Sequence, residues 1–508
     1  VRGTAGDGSN GTFRGTVRRA GTAWARRVRR RWRTVPPERR TLGLTAGSAA
    51  VGLAVSLGAV AAAGPWDSGQ RTAERSRAVT QEPDSGVRHT DDARPPGRAG
   101  ANAPEPAPSA APVLGPVGPD GAPPTRAGLA RALEDGLDDE ALGKTVTASV
   151  VDVATGRVLF RSGGDRPVVP ASTIKLATAT AALTALGPDH RLATRTVWDE
   201  EERRVVLVGG GDPTLDEKRL AALADATAEA VREAGLKPRA VAYDVSRWTG
   251  PARHPIGVNT NIAPLSPLML NAARTDDSSS GPAPRAADPA EAAADRFAAL
   301  LAERDVTTRT TAKARAPRDA RELAVSRSAP LSALVERLLT RSDNDLAEAL
   351  ARHTATAVGE TADFDGARAA TADVLAGLDL PVDDARFADG SGLSRDSRVT
   401  ATFLASLLAT AADPDHPELR PVLTGLPVAG FTGTLGGRYT GETTRDAAGL
   451  IRAKTGTLTG VNALAGTVVD ADGRLLSFAF LATGSQERAA AHAALDRLAA
   501  TVAACGCR

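Results

Sequence analysis

The sequence predicts an α+β domain built on an antiparallel sheet, occupying the chain from about Thr125 onward. Two observations predict it: a hairpin-like pair of alternating segments stands near each end of that region, and a long stretch with helical periodicity lies between them. Leu129, Leu133 and Leu137 fall on one face of an opening helix. Val146 to Val153 and Val158 to Arg161, joined by Ala154-Thr155-Gly156, read as the first hairpin. Ala463 to Val469 and Leu475 to Leu481 repeat the design around Asp470-Ala471-Asp472-Gly473. A closing helix is expected to start after Ser485, as its N-cap, and to run to about Ala503.

Composition sets the wider frame. With 42% hydrophobic and 24% charged residues, the 508-residue chain can bury a large core. Its formal net charge of +2 hides an asymmetry. Twelve arginines fall in the first 40 residues against only Asp7 and Glu38, so the rest is net acidic. A nucleic-acid-binding body would be basic, and nucleic acid is not an expected partner. Residues 1–41 form the basic tail. Residues 42–64 are apolar and uncharged, close to the ~20 residues that span a bilayer. The arginines before them, Arg26 to Arg40, stay cytoplasmic and place the following chain outside. A cleavable signal peptide is the alternative, because Ala61-Ala62-Ala63 resembles a cleavage site. The length of the run favours an anchor, and both readings export the remainder. Residues 65–124 are rich in Pro, Ala, Gly, Arg and Asp without apolar periodicity, and read as a disordered, extended linker. Cys505 and Cys507 make neither a zinc-ligand set nor a disulfide framework; exposed thiols and a small local disulfide both remain open. No metal or cofactor is expected.

Three short motifs carry the chemistry. Ser172-Thr173-Ile174-Lys175 opens an Ala/Leu-rich helical stretch behind Pro170. Positions i and i+3 share a helix face, so the Lys175 amine should lie beside the Ser172 hydroxyl. A serine needs a base to attack a carbonyl, and a desolvated, neutral lysine can serve. Backbone N–H groups at the helix start can hold a developing oxyanion. Ser342-Asp343-Asn344 falls between helical runs containing Leu331, Leu334 and Leu338 on one side and Leu346 and Leu350 on the other. A loop there could aim Ser342 as a proton relay and Asn344 at a substrate amide. In Lys454-Thr455-Gly456-Thr457, strand alternation puts Lys454 and Gly456 on one face. The lysine can attract a carboxylate, and the glycine leaves room for a substrate backbone. Each motif alone is common; the three in this order on an exported chain are specific. The six histidines, His190 and His353 among them, are expected on the surface or on helices.

The trio resembles that of penicillin-binding proteins and serine β-lactamases. Further segments resemble the D-Ala-D-Ala carboxypeptidase/endopeptidase family of low-molecular-mass, class C penicillin-binding proteins. They are Pro170-Ala171-Ser172-Thr173, Gly210-Gly211-Asp212-Pro213-Thr214-Leu215, Asp389-Gly390-Ser391-Gly392-Leu393-Ser394-Arg395, Gly433-Thr434-Leu435 with Arg438, and the run from Lys454 to Gly466. The resemblance covers about Thr125 to Ala503. It implies a β-lactamase/transpeptidase-like domain with an inserted accessory domain, placed at about 191–290 by the long gap between Lys175 and Ser342. That gap is short for the family, implying that one of its usual two accessory domains is reduced. The implied activity is serine-type D-Ala-D-Ala carboxypeptidase or endopeptidase action on peptidoglycan stem peptides, inhibited by β-lactams. Ser172 would be the acylated nucleophile and Lys175 its base. Ser342 would relay a proton to the leaving amine, and Asn344 would hold the acyl side chain. Lys454 and Thr455 would help bind the terminal carboxylate, with Gly456 on the same strand. The backbone N–H groups of Ser172 and Thr457 would form the oxyanion hole. For the glycine-rich segments, turns and close packing without direct chemistry are the plainer expectation.

Two rival readings share the trio. A β-lactamase must also deacylate rapidly, in one class through a Glu-x-x-Leu-Asn loop after the second motif, and none follows Asn344. A non-catalytic wall-binding or β-lactam-sensing protein would tolerate a degenerate site, whereas all five motif side chains are intact.

Overall fold

The computed structural model describes residues 122–507, apart from Val258 and Thr307. The basic tail, the apolar run 42–64 and the linker through residue 121 lie outside the described residues. Among the described residues no helix is long and apolar enough to cross a membrane.

Five strands build the main sheet: β1 (Thr145–Asp152), β2 (Arg157–Ser162), β8 (Arg452–Leu458), β9 (Val461–Val469) and β10 (Leu475–Thr483). Their order is β2-β1-β10-β9-β8, and every pairing is antiparallel. The two hairpins legible in the sequence are therefore halves of one sheet, joined where β1 pairs with β10. Both faces are covered, and the period of two divides the side chains between two cores. Leu464, Val468, Phe478 and Phe480 point to one side, with Leu129 and Leu133 of the helix Arg126–Leu137 and Leu495, Leu498 and Val502 of the helix Arg488–Ala503. Ala463, Ala465, Ala479 and Leu481 point to the other, against a helical layer. That layer contains the helices Lys175–Leu186, Leu331–Arg341, Asn344–Val358 and Ala401–Ala412.

A second sheet is inserted between the helices Lys175–Leu186 and Leu331–Arg341. It comprises β3 (Ala193–Asp199), β4 (Arg204–Val208), β5 (Ala240–Asp244), β6 (Arg309–Lys313) and β7 (Arg321–Arg327), in the order β6-β5-β4-β3-β7. β3 pairs antiparallel with β4 and β7, while β4, β5 and β6 run parallel. The parallel strands are joined by the crossover helices Glu217–Glu233 and Pro289–Ala302, as parallel pairing requires. Trp198, Leu207, Leu220, Phe297 and Leu301 meet in their shared core. The insertion expected at about 191–290 begins where this sheet begins, but β6 and β7 carry it on to Arg327. Both are edge strands, and edge strands carry polar side chains that blur the apolar pattern.

The segment 245–288 leaves this sheet and is fastened to the helix Asn344–Val358. Ala263 N–H donates to Asp345 Oδ1 (2.8 Å), and Arg285 pairs with Asp345 Oδ2 (2.9 Å). The buried Arg352 donates to the Thr249, Pro251 and Ala362 carbonyls and lies 5.4 and 4.8 Å from the Trp248 and Phe364 ring centres.

The chain end departs from expectation in one detail. The closing helix starts at Arg488 with Glu487 at its N-cap, two residues later than Ser485 would place it. Ser485 Oγ instead accepts from the buried Asn462 Nδ2 (2.7 Å), which otherwise would lack a partner for that donor. Cys505 and Cys507 form a disulfide, and Thr125 N–H donates to the Cys507 carbonyl (2.9 Å), tying the two ends of the described region together.

Candidate active site

Ser172 sits on a 3-10 turn, Ala171–Ile174, that feeds directly into the helix Lys175–Leu186. Ala171, Thr173 and Ile174 of the turn and nine of that helix's twelve residues are buried, so the core anchors the turn while Ser172 stays partly exposed. Ala171 holds φ 48°, a left-handed conformation that costs an alanine about 1–2 kcal/mol. The turn persists because it is held by its neighbours. Gly392, itself at φ +79°, passes so close that a Cβ there would collide with the Ala171 carbonyl.

Lys175 is fully buried, and its Nζ donates to Ser172 Oγ (3.0 Å), to Asn344 Oδ1 (2.7 Å) and to the Ser391 carbonyl. Burial pushes its pKa down to about 8, against the pull of Asp389, Glu348, Asp343 and Asp345. The second motif is built by two helix ends meeting. The helix Leu331–Arg341 closes on Ser342 in the left-handed conformation (φ 55°, ψ 43°), and Asp343 caps the next helix by accepting from Leu346 N–H. This sharp reversal delivers Ser342 Oγ to Lys454 Nζ (2.9 Å) and Asn344 to Lys175. Asn344 Nδ2 donates to the Asn261 carbonyl (2.9 Å), from the inserted segment.

Lys454 lies on β8, the edge strand of the main sheet. It is fully buried, and burial first, then the nearby Lys175, hold its pKa well below the usual lysine value. A Cβ on Gly456 would stand 2.6 Å from the Pro170 carbonyl, so β8 runs directly against the Ser172 turn only because residue 456 is glycine. Ala453 N–H donates outward to the Pro427 carbonyl, which fixes the strand's phase. By the alternation of an extended strand, the N–H groups of Thr455 and Thr457 point to that same open edge. Thr455 Oγ1 donates to Thr434 Oγ1 (2.8 Å), and Thr457 Oγ1 lies 3.0 Å from His492 Nε2. Burial, then Arg438 and Arg488, lower the His492 pKa to about 4. Its ring is therefore neutral beside the threonine.

The structure thus gathers Ser172, Lys175 and Asn344 in one hydrogen-bonded group and Ser342 and Lys454 in a second, the two joined covalently through the Ser342-Asp343-Asn344 turn, with Thr455, Gly456 and Thr457 on the same strand as Lys454. A nucleophile with a neutralisable base and a second buried lysine is the equipment for acyl transfer at a carbonyl.

A sequence profile of the D-Ala-D-Ala carboxypeptidase 3 (S13) family matches residues 129–279 and 277–503. The chain belongs to this family. A carboxypeptidase of Mycobacterium tuberculosis is 37% identical over 429 residues, 81% of this chain and 92% of that protein. Carboxypeptidase DacB of Mycolicibacterium smegmatis is 37% identical over 421 residues, covering 80% and 90%. Among solved structures, penicillin binding protein 4 of Haemophilus influenzae superposes with a TM-score of 0.58 at 21% identity, over 73% of this chain and 97% of that one. That likeness concerns the fold: a transpeptidase-like sheet with helices and an inserted module.

Sequence reasoning missed part of the site. The segment from Asp389 to Arg395 was expected to make turns and packing, yet the Ser391 carbonyl accepts from the Lys175 amine. Glu348 accepts from Gly390 and Ser391 N–H, and Asp389 accepts from Gly392 and Ser394 N–H, which orients that carbonyl. His254 was expected on the surface or on a helix. It is on neither: it is 3% exposed, in an irregular stretch of the insertion, and its Nε2 lies 3.0 Å from Asp389 Oδ2. No periodic signal in the sequence links residues so far apart.

Proposed function

We propose that this protein is a serine D-Ala-D-Ala carboxypeptidase that works on peptidoglycan stem peptides through an acyl-enzyme on Ser172, and that β-lactams trap it at that step. The observation that carries the proposal is a fully buried Lys175 amine 3.0 Å from Ser172 Oγ, with its pKa lowered to about 8. At pH 7 about one-tenth of such an amine is neutral, enough to accept the serine proton. Ser172 Oγ then attacks the carbonyl of the penultimate D-alanine. The N–H groups of Ser172 and Thr457 hold the oxyanion. Ser342, hydrogen-bonded to Lys454, passes a proton to the departing D-alanine amine. Lys454 and Thr455 draw the terminal carboxylate to β8, and Asn344 holds the acyl side chain. Water then releases the shortened peptide. In a β-lactam the leaving amine stays tethered and hinders that water.

Family membership supports this reading, as do the relatives named carboxypeptidases and a structure of the Haemophilus influenzae protein in complex with a β-lactam. The substrate lies outside the cytoplasm, and the arginine-rich tail before the apolar run 42–64 supports a membrane-anchored chain with its catalytic domain outside. Incubation with purified peptidoglycan, followed by chromatography, tests the activity. Free D-alanine is the expected product, and loss of cross-linked dimers would mark endopeptidase action as well. Neither product, from protein that still reacts with penicillin, would refute a peptidase and leave a sensor.

A further inference from the structure

The buried trio behind the catalytic lysine is not used in the chemistry above. His254 Nε2 lies 3.0 Å from Asp389 Oδ2 and 3.6 Å from Glu348 Oε1, and all three side chains are buried. The two carboxylates and the imidazole come from different parts of the fold: Glu348 from the helix Asn344–Val358, Asp389 from the segment beside the Ser172 turn, His254 from the insertion. Both carboxylates reach Lys175 through one residue. Ser391 N–H donates to Glu348 (2.9 Å), Ser391 Oγ donates to Asp389 (3.1 Å), and the Ser391 carbonyl accepts from Lys175 Nζ.

A metal site is the obvious competing use, since the ligand atoms lie within 4.8 Å of one another. The geometry opposes it. The imidazole stands at hydrogen-bond length from Asp389, and both carboxylates are already spent on backbone N–H groups. A metal bond of roughly 2.0–2.2 Å would have to displace these contacts.

We propose that His254 is a positioning residue: an imidazolium carried in by the insertion, it balances the Glu348–Asp389 pair and so sets how readily Lys175 gives up its proton. The proposal rests on the reading of Lys175 as the base of Ser172. Two buried carboxylates beside a lysine would favour its charged form and idle it as a base. A fixed positive charge between them removes that bias without touching the substrate. Although burial opposes charge on the ring, its bonds to Asp389 and Glu348 outweigh burial and raise the His254 pKa to about 9. The imidazole therefore stays charged through the neutral range. Among the groups around it, Glu348 and Asp389 contact it directly, and the Phe364 ring packs on its edge at 5.4 Å. Arg352 lies over the same phenylalanine and feels Glu348. Lys175 itself also feels Asp343 and Asp345. Lys454 lies beyond Lys175 and lowers with it. The insertion is thereby wired to the base of the reaction and is more than a wall of the cleft.

The test is the pH dependence of acylation by a fluorescent penicillin, measured on the whole protein with folding checked by circular dichroism. Wild type should rise along an alkaline limb toward pH ~8. H254Q keeps a donor for Asp389 but loses the charge, and its limb should move up by about half a unit or more. E348Q removes a negative charge, and its limb should move down. The double variant H254Q/E348Q should return close to wild type. If H254Q does not fold, E348Q and the double variant decide, because they differ only in the imidazolium. A merely structural histidine would lower stability, leave the H254Q limb at the wild-type position and leave the double variant's limb where E348Q alone puts it. An unmoved H254Q limb, a double variant that titrates with E348Q, or H254Q and E348Q moving in the same direction would overturn the proposal. Wild-type protein that is never acylated on Ser172 would overturn the underlying reading, an outcome visible before any variant is compared.

Discussion

Lys175 carries opposing demands. As the proposed base it must be buried to be neutral enough to act, yet a buried amine needs acceptors, and Ser172, Asn344 and Ser391 supply them. With its pKa lowered to about 8, the fraction of active base grows about tenfold per unit as pH rises toward that value and levels off above it. The acylation rate should follow this curve between pH 5.5 and 8.5, in stopped-flow measurement; a flat profile would assign the proton to another group. On the proposed mechanism Lys175→Ala removes the base and should slow acylation by roughly three orders of magnitude or more, while equilibrium melting shows a folded protein. At this scale the sequence was eloquent about the chemistry. Spacing of three residues on a helix start was enough to place Lys175 on Ser172. It marked the segment holding Ser391 only as a turn and was silent about His254 and Glu348, because their association depends on how an irregular segment folds back on a helix about a hundred residues later.

Strand β8 and the closing helix show how elements aim these residues. Gly456 lets the strand lie against the Pro170 carbonyl at a separation a side chain would forbid. Gly456→Val should push β8 outward and lower kcat/KM by about a hundredfold or more, with a smaller loss of stability, since the strand is at the sheet edge. Steady-state kinetics and a thermal melt separate the two. The helix Arg488–Ala503 places His492 at Thr457, and it is clamped by Arg438, which holds Asp496 through two bonds of 2.7 and 2.9 Å. Arg438→Met leaves a largely buried carboxylate unpaired and should cost about 3 kcal/mol, read as a lowered Tm. Helices and strands with strong periodicity were legible in the sequence: the two hairpins, the helix after Lys175 and the pair flanking Ser342. β6 and β7 were not. Arg309–Lys313 and Arg321–Arg327 are short and rich in charge and threonine, and only the neighbouring strands make them part of a sheet.

At the scale of the whole chain, the sequence sets a basic stretch and an apolar run before the described domain, and the proposed function places that domain outside the cytoplasm. If the arginine bias before residue 42 orients the tail inward, as proposed, protease added to intact spheroplasts should remove the catalytic domain. A fully protected domain would contradict that topology. Within the described residues, the architecture follows from one arrangement: the sheet's two faces separate a small terminal core from the helical layer that bears Ser172 and Ser342. The insertion returns from its own sheet to touch Asn344, Asp345 and Asp389. Everything converges on one covalent step. Intact-mass spectrometry after penicillin exposure, with peptide mapping, tests it most directly. The account predicts a single penicilloyl adduct on Ser172 that Ser172→Ala abolishes without unfolding the protein. An adduct on any other residue, or undiminished labelling of Ser172→Ala, would contradict it.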